Sequence, residues 1–152
     1  MIKGGQDDAA LLTANRLRRS VAALSRRLRA RRADHGVSAA KLSILGRLAR
    51  AGEALTASTL AERERLQPQS LTRLIAELEQ AGLIARRINA GDRRQLLIEL
   101  TVAGRELLAT DARRQSLWLA EAMSRVLTPA EMSVLGVAAQ LLDQLADVEL
   151  DA

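Results

Sequence analysis

Apolar residues recur along most of this chain at helical spacing, and the pattern changes once, shortly after its midpoint. Leu17, Val21, Leu24 and Leu28 follow at steps of four, three and four, which predicts a helix over about Ala9–Arg32 with one apolar seam. Ser38 is a good N-cap for a second helix that places Leu42, Leu45, Leu48 and Ala49 on one face and stops at Gly52. In "LTASTLAERERL", Thr56 caps a short helix whose Leu60 and Ala61 turn inward. After the break "LQPQS", Pro68 suits a first helical turn, and Leu71, Leu74, Ile75 and Leu78 fall within roughly 100° of arc on a helix running to Gly82.

Beyond Gly82 the period shortens. "LIARRI" and "QLLIEL" read as strands joined at "NAGD", the second with Leu96, Ile98 and Leu100 on one face and Gln95, Leu97 and Glu99 on the other. Helical spacing resumes at Thr101, a cap for a long helix carrying Leu108, Ala112, Leu119, Met123 and Val126. Thr128, Pro129 and Glu131 spell a capping box for a last helix with Leu135, Ala138, Leu142 and Leu145 on one face.

Two short helices across a tight break form the helix-turn-helix pattern. Opposite the apolar stripe of the second lie Gln69, Arg73 and Ala76, flanked by Ser70 and Thr72. These side chains are short or hydrogen-bonding, so the helix can enter a groove, where Arg73 can reach guanine or phosphate. A two-stranded ribbon directly after such a helix is a wing. Its tip carries Arg93 and Arg94, suited to a narrow, electronegative minor groove. Asp92 is expected to hold a neighbouring guanidinium in one orientation.

Composition supports a helical fold. The chain of 152 residues is 48% hydrophobic, yet Trp118 is its only aromatic residue, so the core is built from Leu, Ala, Val and Ile. No apolar run approaches the roughly 18 residues of a membrane span, and no signal peptide is apparent, so a soluble cytoplasmic protein is expected. The absence of cysteine agrees with a reducing compartment and removes thiol-ligated metals. The net charge of +5 points to a polyanionic partner. No acid lies between Asp8 and Asp34, where Arg16, Arg18, Arg19, Arg26, Arg27, Arg29, Arg31 and Arg32 fall. No base follows Arg125, where Glu131, Asp143, Asp147, Glu149 and Asp151 fall. Either run alone reads as a solvated face; together they suggest terminal helices that pack on each other, within or between subunits.

The stretch "LTASTLAERERLQPQSLTRLIAELEQAGLIARR", followed by "DRRQLLIELTVAGREL", resembles the multiple-antibiotic-resistance-regulator (MarR) family of winged helix-turn-helix transcription factors. The family pattern Leu-Glu-x-x-Gly-Leu falls on Leu78, Glu79, Gly82 and Leu83, Asp-x-Arg on Asp92 and Arg94, and Leu-Thr-x-x-Gly on Leu100, Thr101 and Gly104. The match covers roughly residues 38 to 108. The resemblance implies a mainly α fold, with a winged helix-turn-helix and two-stranded wing at 38–100, and helices at 1–37 and 101–152 forming a dimer domain. It implies a homodimer on double-stranded DNA, acting as a repressor at a pseudo-palindrome, with Arg94 in the minor groove and Arg73 on the recognition helix. It also implies a small lipophilic or aromatic-acid effector, for which Trp118 is a candidate lining residue and plain packing the alternative. The redox-sensing branch of the family uses a cysteine that this chain lacks.

Enzyme chemistry finds little support. His35 is the only histidine and is expected to be solvated in a loop; no Gly-rich loop follows a strand; no cofactor or metal is implied. Glu62, Glu64, Glu77 and Glu79 interleave with arginines and read as salt-bridge partners rather than ligands. A non-catalytic alternative is a winged-helix protein-interaction or architectural module. That would show aromatic or aliphatic anchors where this chain shows Gln69, Ser70, Thr72 and Arg73.

Overall fold

A computed structural model describes residues 3–32, 34–89, 91–146 and 148. Of the acidic tail, Asp147, Glu149 and Asp151 lie outside the described residues. The elements in chain order are α1 (Lys3–Arg29), α2 (Ala39–Ala51), β1 (Leu55–Thr56), α3 (Ala57–Glu64), α4 (Pro68–Gln80), β2 (Ile84–Ile88), β3 (Leu96–Leu100), α5 (Val102–Val126) and α6 (Pro129–Ala146). The fold is mainly helical. No helix among the described residues is long and apolar enough to cross a membrane. Two compact units form, one spanning Arg32–Arg114 and the other drawn from the terminal segments up to Arg31 and from Gln115 onward.

The caps read from sequence are present. Ser38 Oγ accepts the Lys41 N–H and Gly52 closes α2 at φ 68°. Thr56 Oγ1 accepts the Thr59 N–H at 3.2 Å. Thr128 and Glu131 exchange both bonds of the capping box. In the winged unit, Ile44, Leu45, Leu60, Leu71, Leu78, Ile84 and Ile98 are fully buried. Each contributes roughly 2 kcal/mol by leaving water, so α4 is placed by its inner face.

The two-stranded wing is present as β2 and β3, and β3 pairs in addition with the two-residue β1, Leu55 and Thr56 against Ile98 and Leu97, giving an antiparallel sheet of order β1-β3-β2; two residues are too few to show an alternating pattern. Three expectations are corrected. Along α2, Ala49 is exposed and Ile44 is buried instead, since a helix packed against α3, α4 and β3 buries more than one stripe. Along α5, Gly104 and Asp111 are buried while Ala112 and Val126 are exposed. Its first turns answer to the winged core, where Leu107 and Leu108 pack, and a single seam does not describe the whole helix.

His35, finally, is half-buried rather than solvated in a loop. Its Nε2 lies 3.0 Å from Asp111 Oδ2, and Asp111 is 4% exposed. The Val37 N–H donates to Nδ1, which leaves Nε2 to carry the ring hydrogen toward the carboxylate. The lone histidine braces the segment before α2 against α5.

In the unit of terminal helices the apolar seams stay largely uncovered. Leu17, Val21 and Leu24 on α1 are 37–43% exposed, and Leu135, Leu142 and Leu145 on α6 are 37–61% exposed. Arg31 sits over the Trp118 ring, 5.3 Å from its centroid.

One close approach ties α4 to α5. Gly82, at φ 69°, ends α4 in a Schellman turn: its N–H reaches the Glu79 carbonyl and the Leu83 N–H reaches that of Leu78. Thr101 Oγ1 donates to the Gly82 carbonyl at 2.6 Å and accepts the Gly104 N–H at 3.1 Å, while the Thr101 N–H donates to the Leu83 carbonyl at 3.2 Å. A Cβ on Gly104 would run into that same Leu83 carbonyl.

Gly104→Ala should therefore destabilise the protein by about 3 kcal/mol or more, since backbone is less able to yield than a side chain; chemical denaturation checks this. A second expectation concerns the Glu64 carboxylate, which joins α3 to Ser43 and Arg47 of α2, the latter at 2.9 Å. Burial raises its pKa, but the Ser43 and Arg47 hydrogen bonds and the Arg47 and Arg50 charges outweigh burial and leave it lowered. A lowered folded pKa gives stability that is full above the unfolded value of about 4.3 and is lost as pH falls through the folded value. Glu64→Gln should cost about 1 kcal/mol at neutral pH, and the gap to wild type should close in acid melts.

Candidate nucleic-acid interface

The site is built on the outer face of α4 and the tip between β2 and β3, both in the winged unit. Leu71, Ile75 and Leu78 are buried, and this turns Gln69, Ser70, Thr72, Arg73 and Ala76 outward, all exposed. The turn before α4 is tight because Arg65 adopts the left-handed conformation at φ 51° and its N–H closes back on α3. Pro68 then opens α4 with no side-chain cap on Gln67, so the first-turn amides on the proposed docking side are left uncapped. Thr72 Oγ1 donates to the Pro68 carbonyl at 2.8 Å and retains its acceptor lone pairs. Leu74, half-buried against the core, borders this face beside Ser70 and Arg73.

Around it the acids are engaged rather than loose. Arg73 Nε lies 2.9 Å from Glu77 Oε1, and Lys41 Nζ of α2 lies 2.9 Å from Glu77 Oε2. The Lys41 hydrogen bond, and after it that of Arg73, hold the Glu77 carboxyl below its ordinary range. Glu79 pairs with Arg86 on β2 at 2.8 Å. The glutamates read from sequence as salt-bridge partners thus include three, Glu64, Glu77 and Glu79, that link different elements. Sequence reasoning missed Lys41; its place in the first turn of α2 gave no sign that it faces α4.

The ribbon continues past the core. Ile84 pairs with Leu100, Arg86 with Ile98 and Ile88 with Leu96, and Ile88 and Leu96 at the outer end are 63% and 47% exposed. Across the tip the Asn89 N–H donates to the Gln95 carbonyl at 3.0 Å, and the Gln95 N–H to the Asp92 carbonyl at 2.9 Å. Arg93 and Arg94 are exposed there. Asp92 Oδ1 accepts the backbone N–H of Arg94 at 3.0 Å. Among the described residues no ion pair joins Asp92 to a guanidinium, so Asp92 fixes the backbone that carries Arg94 rather than gripping its side chain. Trp118 belongs to the other unit, half-buried under Arg31.

Comparison with known proteins agrees with this architecture. A family model described as the MarR family matches residues 35–95. The chain is 40% identical over 128 residues to an HTH-type transcriptional regulator of Mycobacterium bovis, covering 84% of this chain and 88% of that one. A crystal structure of a transcriptional regulator from Pseudomonas aeruginosa superposes with a TM-score of 0.81 at 32% identity, over 94% of this chain and 99% of that one. A MepR mutant from S. aureus, solved bound to an oligodeoxyribonucleotide, shares the fold at a TM-score of 0.63 and 20% identity, over 90% and 98% of the two chains. Proteins of this kind are regulators, not enzymes. With relatives matched over most of its length and the winged helix-turn-helix in place, the chain belongs to the MarR family of helix-turn-helix transcriptional regulators.

Proposed function

We propose that two copies of this chain form a homodimer that represses transcription by occupying a pseudo-palindromic stretch of double-stranded DNA, and that a small lipophilic or aromatic-acid ligand releases it. Residues 38–100 supply the DNA-binding region, and 1–37 with 101–152 the dimerisation region. The observation that carries the reading is one unit presenting a polar outer face of α4 together with a wing whose tip holds Arg93 and Arg94. Gln69, Ser70, Thr72 and Arg73 read base edges in the major groove, and Arg94, on a tip fixed by Asp92, enters the minor groove with Arg93 beside it. Two such helices related by a two-fold axis require half-sites about one helical turn, or ~10 base pairs, apart. The uncovered seams on α1 and α6 support dimerisation, because a lone chain would leave more apolar surface than monomers usually tolerate. The arginines of α1 and acids such as Asp143 on α6 give that interface complementary charge. The effector rests on the family resemblance, and Trp118 remains its candidate lining residue.

Sedimentation at micromolar concentration should give a species of two chains' mass; a single species of one chain's mass would remove the dimer. Arg94→Ala should weaken specific and non-specific duplex alike and lower the salt slope of the dimer by close to two units, at about 0.9 per phosphate. Asp92→Ala removes an acid and should still weaken binding, because the tip backbone loses its tie. An unchanged salt slope for Arg94→Ala, with tighter binding by Asp92→Ala, would mean that the tip does not reach DNA.

A further inference from the structure

An acid on a groove-reading face calls for a physical account. Glu77 stands one helical turn after Arg73, on the same side of α4, where a phosphate backbone would repel it. Its two oxygens are divided between two cations. Oε1 takes the Nε–H of Arg73 and Oε2 takes Lys41 Nζ, each at 2.9 Å. Lys41 is on α2, so one oxygen is anchored to a different helix while the other meets the exposed arginine. The Arg73 side chain is 82% exposed, those of Glu77 and Lys41 35% and 22%. The outermost member of the trio is therefore the one held by Glu77, which Lys41 anchors in turn.

A guanidinium has five N–H donors in a rigid plane. With Nε–H committed to Glu77, the end carrying both Nη atoms remains to face outward. That end matches the O6 and N7 of guanine as a fork. A wholly unrestrained arginine on an exposed helix would instead settle on any nearby phosphate, which carries no sequence information.

We propose that Glu77, anchored by Lys41, is a specificity-determining positioning residue that holds Arg73 by its Nε edge and presents its Nη edge to a guanine in the half-site. The inference rests on the reading of α4 as the groove-reading helix and adds to it the residues that aim the reader. It also gives the acid a use: one negative charge is accepted on the binding face in return for a fixed donor geometry. Lys41 keeps the carboxylate from following the guanidinium, and the trio retains a net positive charge.

The test is base discrimination by the whole chain. A site is first selected from randomised duplex with wild type and with Arg73→Ala, which identifies the position that Arg73 reads. Binding is then measured to the selected duplex and to the three duplexes with another base there. Glu77→Gln and Lys41→Met should each lower discrimination at that position about tenfold, within the range a bidentate contact supplies. Affinity for unrelated duplex should hold for Lys41→Arg, which also keeps the discrimination, and should rise for Glu77→Gln. In an Arg73→Ala background Glu77→Gln should take away no further discrimination. Uniformly tighter binding by Glu77→Gln with base preference intact would overturn the proposal and leave α4 as the reader. If Arg73→Ala itself relaxes no position, the assignment of Arg73 as a reader falls, and the proposal with it. Should Glu77→Gln fold poorly, Lys41→Met tests the same anchor from the other helix.

Discussion

The approach of α5 to the Leu83 carbonyl is the constraint on which the winged unit depends. Helix α4 stops because Gly82 turns left-handed; the next carbonyls then face the start of α5, where the Thr101 hydroxyl and amide take them up. Only hydrogen on Cα fits at Gly104. The sheet strands β2 and β3 lie between these two points in sequence, so the seam fixes both ends of the wing against the end of α4. A groove-reading helix and a ribbon are useful together only at a set separation, and backbone contact sets it more rigidly than side-chain packing does.

Around this frame, charge orients more than it stabilises. Leu71, Ile75 and Leu78 place α4 by burial, whereas the exposed pair of Arg73 and Glu77 is screened by water and adds little to folding. Its effect is on direction. The same holds at the tip, where Asp92 pins the Arg94 amide, and along the ribbon, where Glu79 meets Arg86 and Glu99 meets Arg87. Acids on a basic face lower the net attraction for a polyanion, but each spends its charge on fixing a cation or a donor. The buried exception is Asp111, which faces His35, and there the burial itself makes the partner obligatory.

The terminal helices show the opposite economy. Their seams are regular, yet the single chain covers them poorly, with Leu135, Leu142 and Leu145 in view on α6. Periodicity reports that a face is apolar without saying which molecule covers it. A second copy answers that in the proposed function.

Periodicity, caps and turn residues determined the helices, the two longer strands and the helix-turn-helix, because these depend on interactions within a few residues. Ser38, Thr56, Thr101 and the box at Thr128 are local hydrogen-bond devices, and each could be read from its neighbours. The family pattern was legible too, although its spacing gave no reason for Gly104; that reason is the Leu83 carbonyl, some twenty residues earlier in the chain. Tertiary structure alone decided the pairing of β1 with β3, the burial of Ile44 in place of Ala49, the setting of His35 against Asp111 and the meeting of Lys41 with Glu77. Each joins residues far apart in sequence, and a linear pattern carries no term for contacts that exist only once separate elements have been brought face to face.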